Sequence, residues 1–161
     1  MIRPLQEEDI AQCLTIYNWY IEHSIATFEE TPLSIEAFQQ RVHRIQQTYP
    51  FLVLQEADHI IGYVYLDAFS SRSAYRYTVD LSIYLSHVDC TKGYGSQLMK
   101  SILHEAKTCG YRNIVSIVTE GNTASQHIHE KFGFEKEGFL KKVGYKHALW
   151  LGVTYYVKHI A

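Results

Sequence analysis

Cysteine is scarce: Cys13, Cys90 and Cys109 are the only three in 161 residues, they stand far apart, and no pair has C-x-x-C spacing. An odd, dispersed set supports neither a disulfide framework nor a zinc ribbon, and fits a protein kept in a reducing cytoplasm. Long apolar runs are missing too; nowhere are there the roughly 18 consecutive apolar residues that a spanning helix needs. The opening Met1-Ile2-Arg3-Pro4-Leu5-Gln6-Glu7-Glu8-Asp9 has no apolar stretch behind a positive start, so a standard secretory signal is not expected. Neither sign of charge dominates. Lys+Arg 15 against Asp+Glu 17 leaves a formal net charge of -2, which supplies no basic field for a phosphate backbone or an anionic membrane. Nucleic acid and membrane are therefore not expected as partners. Internal repeats, low-complexity tracts and linkers are also absent.

What is present reads as one globular unit. At 47% hydrophobic and 20% charged residues the chain can bury a core, and at about 150 residues per domain its length predicts a single domain over 1–161. Ile2 to Leu5 reads as a short strand. Asp9 is placed to cap a helix with Ile10, Leu14, Tyr17 and Ile21 on one face, and Ser34 a second with Ile35, Phe38, Val42 and Ile45, stopped by Tyr49-Pro50. Runs rich in Val, Ile and Tyr then predict a hairpin over 51–55 and 60–67 and a longer strand over 78–86. Leu98, Met99, Ile102, Leu103 and Ala106 mark an amphipathic helix closed by Gly110; a strand over 113–119, a short helix over 123–132 and strands near 134–140 and 149–159 complete the order. The fold class is α/β (α+β): one mixed sheet flanked by helices.

The segment with most chemical content joins Tyr84-Leu85-Ser86 to Cys90-Thr91-Lys92-Gly93-Tyr94-Gly95-Ser96 and the helix that follows. Glycines let a ligand approach the backbone, and the free first-turn N–H groups of a helix, at its positive dipole end, suit phosphate oxygens. A pyrophosphate is one reading; a strand-to-helix turn that needs glycine only for geometry is the other. A P-loop is excluded because Gly-x4-Gly-Lys-Ser/Thr is missing, and a dinucleotide fingerprint because Leu98 stands where its third glycine belongs.

With the order of elements added, this segment resembles the acyl-CoA loop of the GNAT N-acyltransferase superfamily, Arg/Gln-x-x-Gly-x-Gly/Ala between the fourth strand and third helix. Gly93 and Gly95 match it, and Cys90 replaces the Arg/Gln. Further stretches are similar to the phosphinothricin N-acetyltransferase subfamily over nearly the whole chain: Ile16-Tyr17-Asn18-Trp19-Tyr20, Ala26-Thr27-Phe28, Arg72-Ser73-Ala74-Tyr75, Thr78-Val79-Asp80, His129-Glu130-Lys131-Phe132-Gly133-Phe134, and Gly144-Tyr145-Lys146-His147 with Trp150. Two departures stand out: Asp80 where the subfamily usually has Glu, and Gly152 where Asp usually follows.

The resemblance implies a mostly antiparallel central sheet with about four helices, acetyl-CoA as acyl donor, and direct transfer to the amino group of a small amino acid or analogue of the phosphinothricin or methionine sulfoximine type. Asp80, set between Val79 and Leu81 in a strand, is either a base for the substrate ammonium, acting through water, or a solvent-facing strand residue. His129 stands where the superfamily usually carries a Tyr that protonates the departing thiolate; the alternative is a packing histidine. His127 and His129, two apart on a helix, diverge, so no metal site is expected. Backbone groups of Ile83, Tyr84 and Leu85 and of Thr91, Lys92, Gly93, Tyr94, Gly95 and Ser96 are implied as cofactor contacts. Asn122 and Ser125 join them, although Asn122 suits a helix cap equally. Phe28, Arg72, Tyr75 and Val79 are implied around the acceptor, Arg72 as a clamp for its carboxylate or a solvated loop charge. A homodimer is implied through the terminal strands and the Gly144 to Trp150 loop. An acetyltransferase for protein N-termini or polyamines, and a non-catalytic acyl-CoA-binding protein, remain the rivals.

Overall fold

The computed structural model describes residues 1–89 and 92–160. Its elements are β1 (Ile2–Pro4), α1 (Ile10–His23), α2 (Ile35–Gln46), β2 (Phe51–Glu56), β3 (His59–Ala68), β4 (Thr78–Leu85), α3 (Tyr94–Thr108), β5 (Asn113–Thr119), α4 (Thr123–Lys131), β6 (Glu135–Lys146) and β7 (Leu149–His159), with single 3-10 turns at Glu7–Asp9 and Ser73–Tyr75. All seven strands form one sheet in the order β1-β2-β3-β4-β5-β7-β6. Among the described residues only β4 and β5 are parallel neighbours; every other pairing is antiparallel. The expected mixed, mostly antiparallel sheet with four helices is the fold observed.

The strand periodicity of two separates two cores. Val79 and Leu81 of β4 join Leu98, Met99 and Ile102 of α3 beneath one face. The opposite face carries Tyr63 of β3 against Ile10, Tyr17 and Ile21 of α1 and Phe38, Val42 and Ile45 of α2, with Tyr84 of β4 packed beside them. The sequence signals that end helices act as expected. Ser34 accepts the Ala37 N–H at 3.1 Å, and Gly110 and Gly133 take left-handed conformations, φ 85° and 83°, that let the chain turn back beneath the last turn.

Two local expectations are corrected. Asp9 does not cap α1: it lies in a helical conformation without a capping bond, and its buried carboxylate instead takes two Arg3 N–H bonds at 2.7 and 2.9 Å and the Gln6 N–H at 2.8 Å. A bidentate guanidinium holds that carboxylate below its usual range. The last hairpin is also longer than periodicity suggested. β6 continues past Leu140 to Lys146 through a register shift between Leu140 and Gly144, with Lys142 at φ 53°, a bulge that scrambles alternation and hides the strand from pattern reading. Among the described residues no helix is long and apolar enough to cross a membrane.

Candidate active site

The parallel pairing of β4 with β5 is short. It covers Thr78, Val79 and Asp80 against Asn113, Ile114 and Val115 and then the strands part, with the Ser116 hydroxyl donating to the Leu81 carbonyl at 3.2 Å at the base of the fork. Backbone groups of successive strand residues alternate between edges. The Leu81 carbonyl looks into the fork, and the Ser86 N–H bonds Ile61 of β3 at 2.7 Å on the other edge, so Ile83 and Leu85 direct their N–H groups into the fork. Tyr84 turns its N–H to β3 and reaches the cavity only through its ring. Of the three consecutive residues expected to offer N–H groups, two have that geometry.

A groove of about 460 Å³ occupies the fork, lined by residues 81–85 of β4, 116–118 of β5, Gly93, Gly95 and Ser96 at the start of α3, and Asn122, Ser125 and His129 of α4. That size is in the range of small-ligand pockets. At its end, α3 begins from Gly93 at φ 75° with no side-chain cap. Its first helical bond is Gln97 N–H to the Gly93 carbonyl at 3.3 Å, which leaves the N–H groups of Tyr94, Gly95 and Ser96 as first-turn donors. A Cβ on Gly95 would sit 3.0 Å from Ile128 and 3.3 Å from Leu85, so glycine there lets α3, α4 and β4 converge. Tyr94 contributes backbone only: its ring is buried in the α3 core and its hydroxyl donates to Glu56 at 2.9 Å. Lys92 is exposed beside the loop; Cys90 and Thr91 lie outside the described residues.

On α4, the Asn122 side chain accepts the Ser125 N–H at 3.3 Å. It caps the helix, one of the two roles its position suits, while still lining the groove. Of the two readings of His129, the geometry matches the packing histidine. It is 1% exposed, stacked on Tyr156 and edge-on to Phe134, and its Nδ1 lies 2.6 Å from the Ser125 carbonyl. A carbonyl only accepts, so the ring proton is on Nδ1, and burial pulls the imidazole below its usual range. Among the described residues the buried Nε2 has no partner. A neutral ring in this tautomer offers Nε2 a lone pair and no proton, which does not fit a standing donor to a thiolate.

Asp80 is the last residue of β4 paired to β5 before the fork. Its side chain leaves the sheet on the α1/α2 face, away from Val79 and Leu81. Burial raises its carboxyl from 3.8 to about 7, Asp67 across the strand pair adds to the rise, and a hydrogen bond from the Leu81 backbone opposes it. A half-buried carboxylate poised near neutrality is suited to accepting a proton and releasing it again. Val79 is corrected as a substrate contact: it is fully buried in the α3 core, so only its backbone remains available.

The α1–α2 loop closes the same side. Ser24 and Ala26 line the groove, Thr27 is buried, and Phe28 is exposed, packed so tightly on Gly144 of β6 that any Cβ there would overlap its ring. A polar network that sequence reasoning missed fixes this loop. Tyr17 bonds both Thr27 and Glu29, and Arg41 pairs with Glu29. Lys146, 2% exposed, donates to the Thr27 carbonyl at 2.7 Å. Burial lowers its ammonium against the pull of Glu30 and Glu29. The Gly-Tyr-Lys-His stretch carried that signal, without showing that its lysine points inward. Arg72 and Tyr75 lie in the exposed turn before β4, Tyr75 edge-on to Phe69. Among the described residues Arg72 makes no ion pair, so its guanidinium is available. The structure does not bring these two into the groove.

Gly152 is held at its backbone and crowded at its Cα. Its N–H donates to the Glu120 carboxylate at 2.8 Å, and a Cβ there would meet the Leu140 carbonyl at 2.8 Å as well as the Phe139 ring.

Residues 2–152 match the model of the acetyltransferase (GNAT) domain family. A phosphinothricin N-acetyltransferase of Streptomyces viridochromogenes is 32% identical over 96% of this chain and 85% of its own. The L-methionine sulfoximine/L-methionine sulfone acetyltransferase of Pseudomonas aeruginosa is 31% identical over 96% and 91%. Among solved structures, a GNAT superfamily phosphinothricin acetyltransferase from Sinorhizobium meliloti in complex with AcCoA superposes with a TM-score of 0.97, at 32% identity, over all of this chain and 88% of that one. The forked strands, the glycine-led helix start and these likenesses agree: the chain belongs to the GNAT acetyltransferase family and is an acetyl-CoA-dependent N-acetyltransferase.

Proposed function

We propose that the acceptor is the amino group of a small amino acid or analogue of the phosphinothricin or methionine sulfoximine type. The observation that carries this reading is the placement of Asp80 at the root of the fork, on the face closed by the Phe28 loop. The groove residues fit acetyl-CoA, which when bound supplies a thioester as acyl donor. Tyr94, Gly95 and Ser96 would hold its pyrophosphate through their N–H groups, and Asn122 and Ser125 would line its arm. Ile83 and Leu85 would place N–H groups where negative charge develops on the acyl oxygen.

Asp80 would take one proton from the substrate ammonium, through a bridging water because its side chain is short, and return it to solvent. The second amine proton, lost as the amide bond forms, balances the thiolate that leaves. His129 would shape the groove and hold no proton for transfer. Holding both reactants in one cleft supplies much of the rate. Arg72 would hold the acceptor's carboxylate, with Tyr75 beside it and Phe28 against the side chain. An assay of Arg72→Met against an amino acid and its carboxamide tests the clamp: KM should rise for the acid and stay level for the amide. Equal behaviour on both removes Arg72 from the site.

We also propose a homodimer through the β6–β7 hairpin. β6 is a twelve-residue edge strand, and Phe139, Leu140, Val143, Tyr145, Leu149 and Trp150 are all exposed on the hairpin, a long apolar edge of the kind that pairs with another chain. Cysteine usage supports a cytoplasmic setting.

A further inference from the structure

Asp80 faces a second carboxylate. The antiparallel register of β3 and β4 sets Asp67 directly opposite Asp80, so both side chains leave the sheet on one face, where like charges repel across about 4.5–5.5 Å between Cβ atoms. Asp67 is itself held. Arg44, in the last turn of α2, grips it with two bonds, Nη1 to Oδ1 at 3.1 Å and Nη2 to Oδ2 at 3.0 Å, and the Ala68 N–H adds a bond to Oδ1 at 2.8 Å. A fork-to-fork contact of this kind fixes the orientation of a carboxylate and sets a positive charge beside it. The other charged or titratable groups on this face are Tyr63, Tyr65, Arg41, Tyr17 and Tyr84. Tyr65 of β3 lies beside Ser82 and within electrostatic reach of both Asp80 and Asp67, Arg41 of α2 is taken up by Glu29, and Tyr17 of α1 is bonded to Thr27 and Glu29. Tyr84 of β4 lies beside Thr27, Tyr63 of β3 is buried, and β5 pairs Val115, an uncharged residue, with Asp80.

We propose that Arg44 and Asp67 are positioning residues for Asp80: together they present a fixed, partly neutralised negative charge across the strands, and so set the pH at which Asp80 accepts the proton of the acceptor amine. The inference rests on the assignment of Asp80 as the base. Removing each partner has opposite consequences. Asp67→Asn deletes the repelling charge, so Asp80 ionises at lower pH. Arg44→Met leaves Asp67 unneutralised, so Asp80 ionises at higher pH. At such separations, with solvent nearby, the shifts are about one pH unit down and about half a unit up. A purely structural role would not split the two variants in sign.

The test follows the Asp80 side-chain carboxyl by carbon-13 NMR titration in the full chain, for the wild type, Asp67→Asn and Arg44→Met, beside the pH profile of kcat/KM for each. The Asp80 midpoint and the acid limb of kcat/KM should move together, down in Asp67→Asn and up in Arg44→Met. An Asp80 midpoint unchanged in both variants, or displaced in the same direction in both, overturns the inference. If the midpoint splits as expected while the kinetic limb stays in place, the assignment of Asp80 as base is overturned and the catalytic part of the inference falls with it.

Discussion

Replacing Asp80 with Asn should make the protein more stable at alkaline pH while making it a poorer enzyme. In the folded chain Asp80 holds its proton up to about pH 7, against an ordinary value of 3.8. The folded state therefore binds more protons than the unfolded one between those limits, and this group's contribution to stability falls as pH rises through them. Above pH 7 the native state carries the whole cost. At 1.36 kcal/mol per pH unit, the difference of about three units sets a ceiling of about 4 kcal/mol. Water reaches this half-buried carboxylate, and screening brings the expected value to about 2 kcal/mol. An amide cannot ionise, so Asp80→Asn escapes the cost. For a chain of this size 1 kcal/mol moves Tm by about 2–4 °C, so the variant should melt about 4–8 °C above the wild type near pH 8. Near pH 4 the gap should close. Circular-dichroism melts of both proteins across that interval measure the difference directly, and effects common to both cancel. A gap that is the same at every pH refutes the reasoning, because it would mean that Asp80 ionises at its ordinary pH in the fold.

Gly95→Val should weaken acetyl-CoA binding at least tenfold by calorimetry and also lower Tm, since its branches would meet Ile128 and Leu85; unchanged affinity in a folded variant removes the α3 start from the cofactor site. Lys146→Met leaves the Thr27 carbonyl without its donor, a loss of about 1–3 kcal/mol. It should raise the acceptor KM several-fold with acetyl-CoA affinity unchanged, whereas equal effects on both ligands would mean general damage. His129→Phe, which keeps an aromatic ring beside Tyr156, should retain kcat within about threefold; a hundredfold loss, typical of a missing proton-transfer group, would restore His129 as donor. Trp150→Glu should shift sedimentation towards the monomer, and a monomeric wild type at working concentrations would contradict the proposed interface.

How much of this was legible in the sequence depended on how local the signal was. Helix faces such as Phe38, Val42 and Ile45 announced themselves through periodicity, and Gly93 and Gly95 through the turn they permit. The fork depends on where β4 and β5 cease to pair, a non-local event, so Ile83 to Leu85 could be named from a likeness but their alternating N–H directions could not. His129 stayed open between proton donor and packing residue because its proton position is set by the Ser125 carbonyl one turn back, a contact with no signature in residue type. The Asp67–Asp80 pairing is a matter of register between strands separated by a nine-residue connection. Lys146 was visible in a motif, yet a lysine that is 2% exposed contradicts every compositional expectation for that side chain. The bulge in β6 that carries it inward disrupts the alternation on which strand prediction depends.

The most direct test of the whole account is acetyl-CoA-dependent thiol release by the wild-type chain across a panel of amines: free amino acids, phosphinothricin, methionine sulfoximine, a polyamine and a short peptide with a free amino terminus. The account predicts turnover with one or more of the small amino-acid acceptors, lost when their carboxylate is amidated and rising with pH through about 7 as Asp80 ionises. Turnover confined to the peptide or polyamine, or acetyl-CoA binding with no thiol released by any amine, would contradict it.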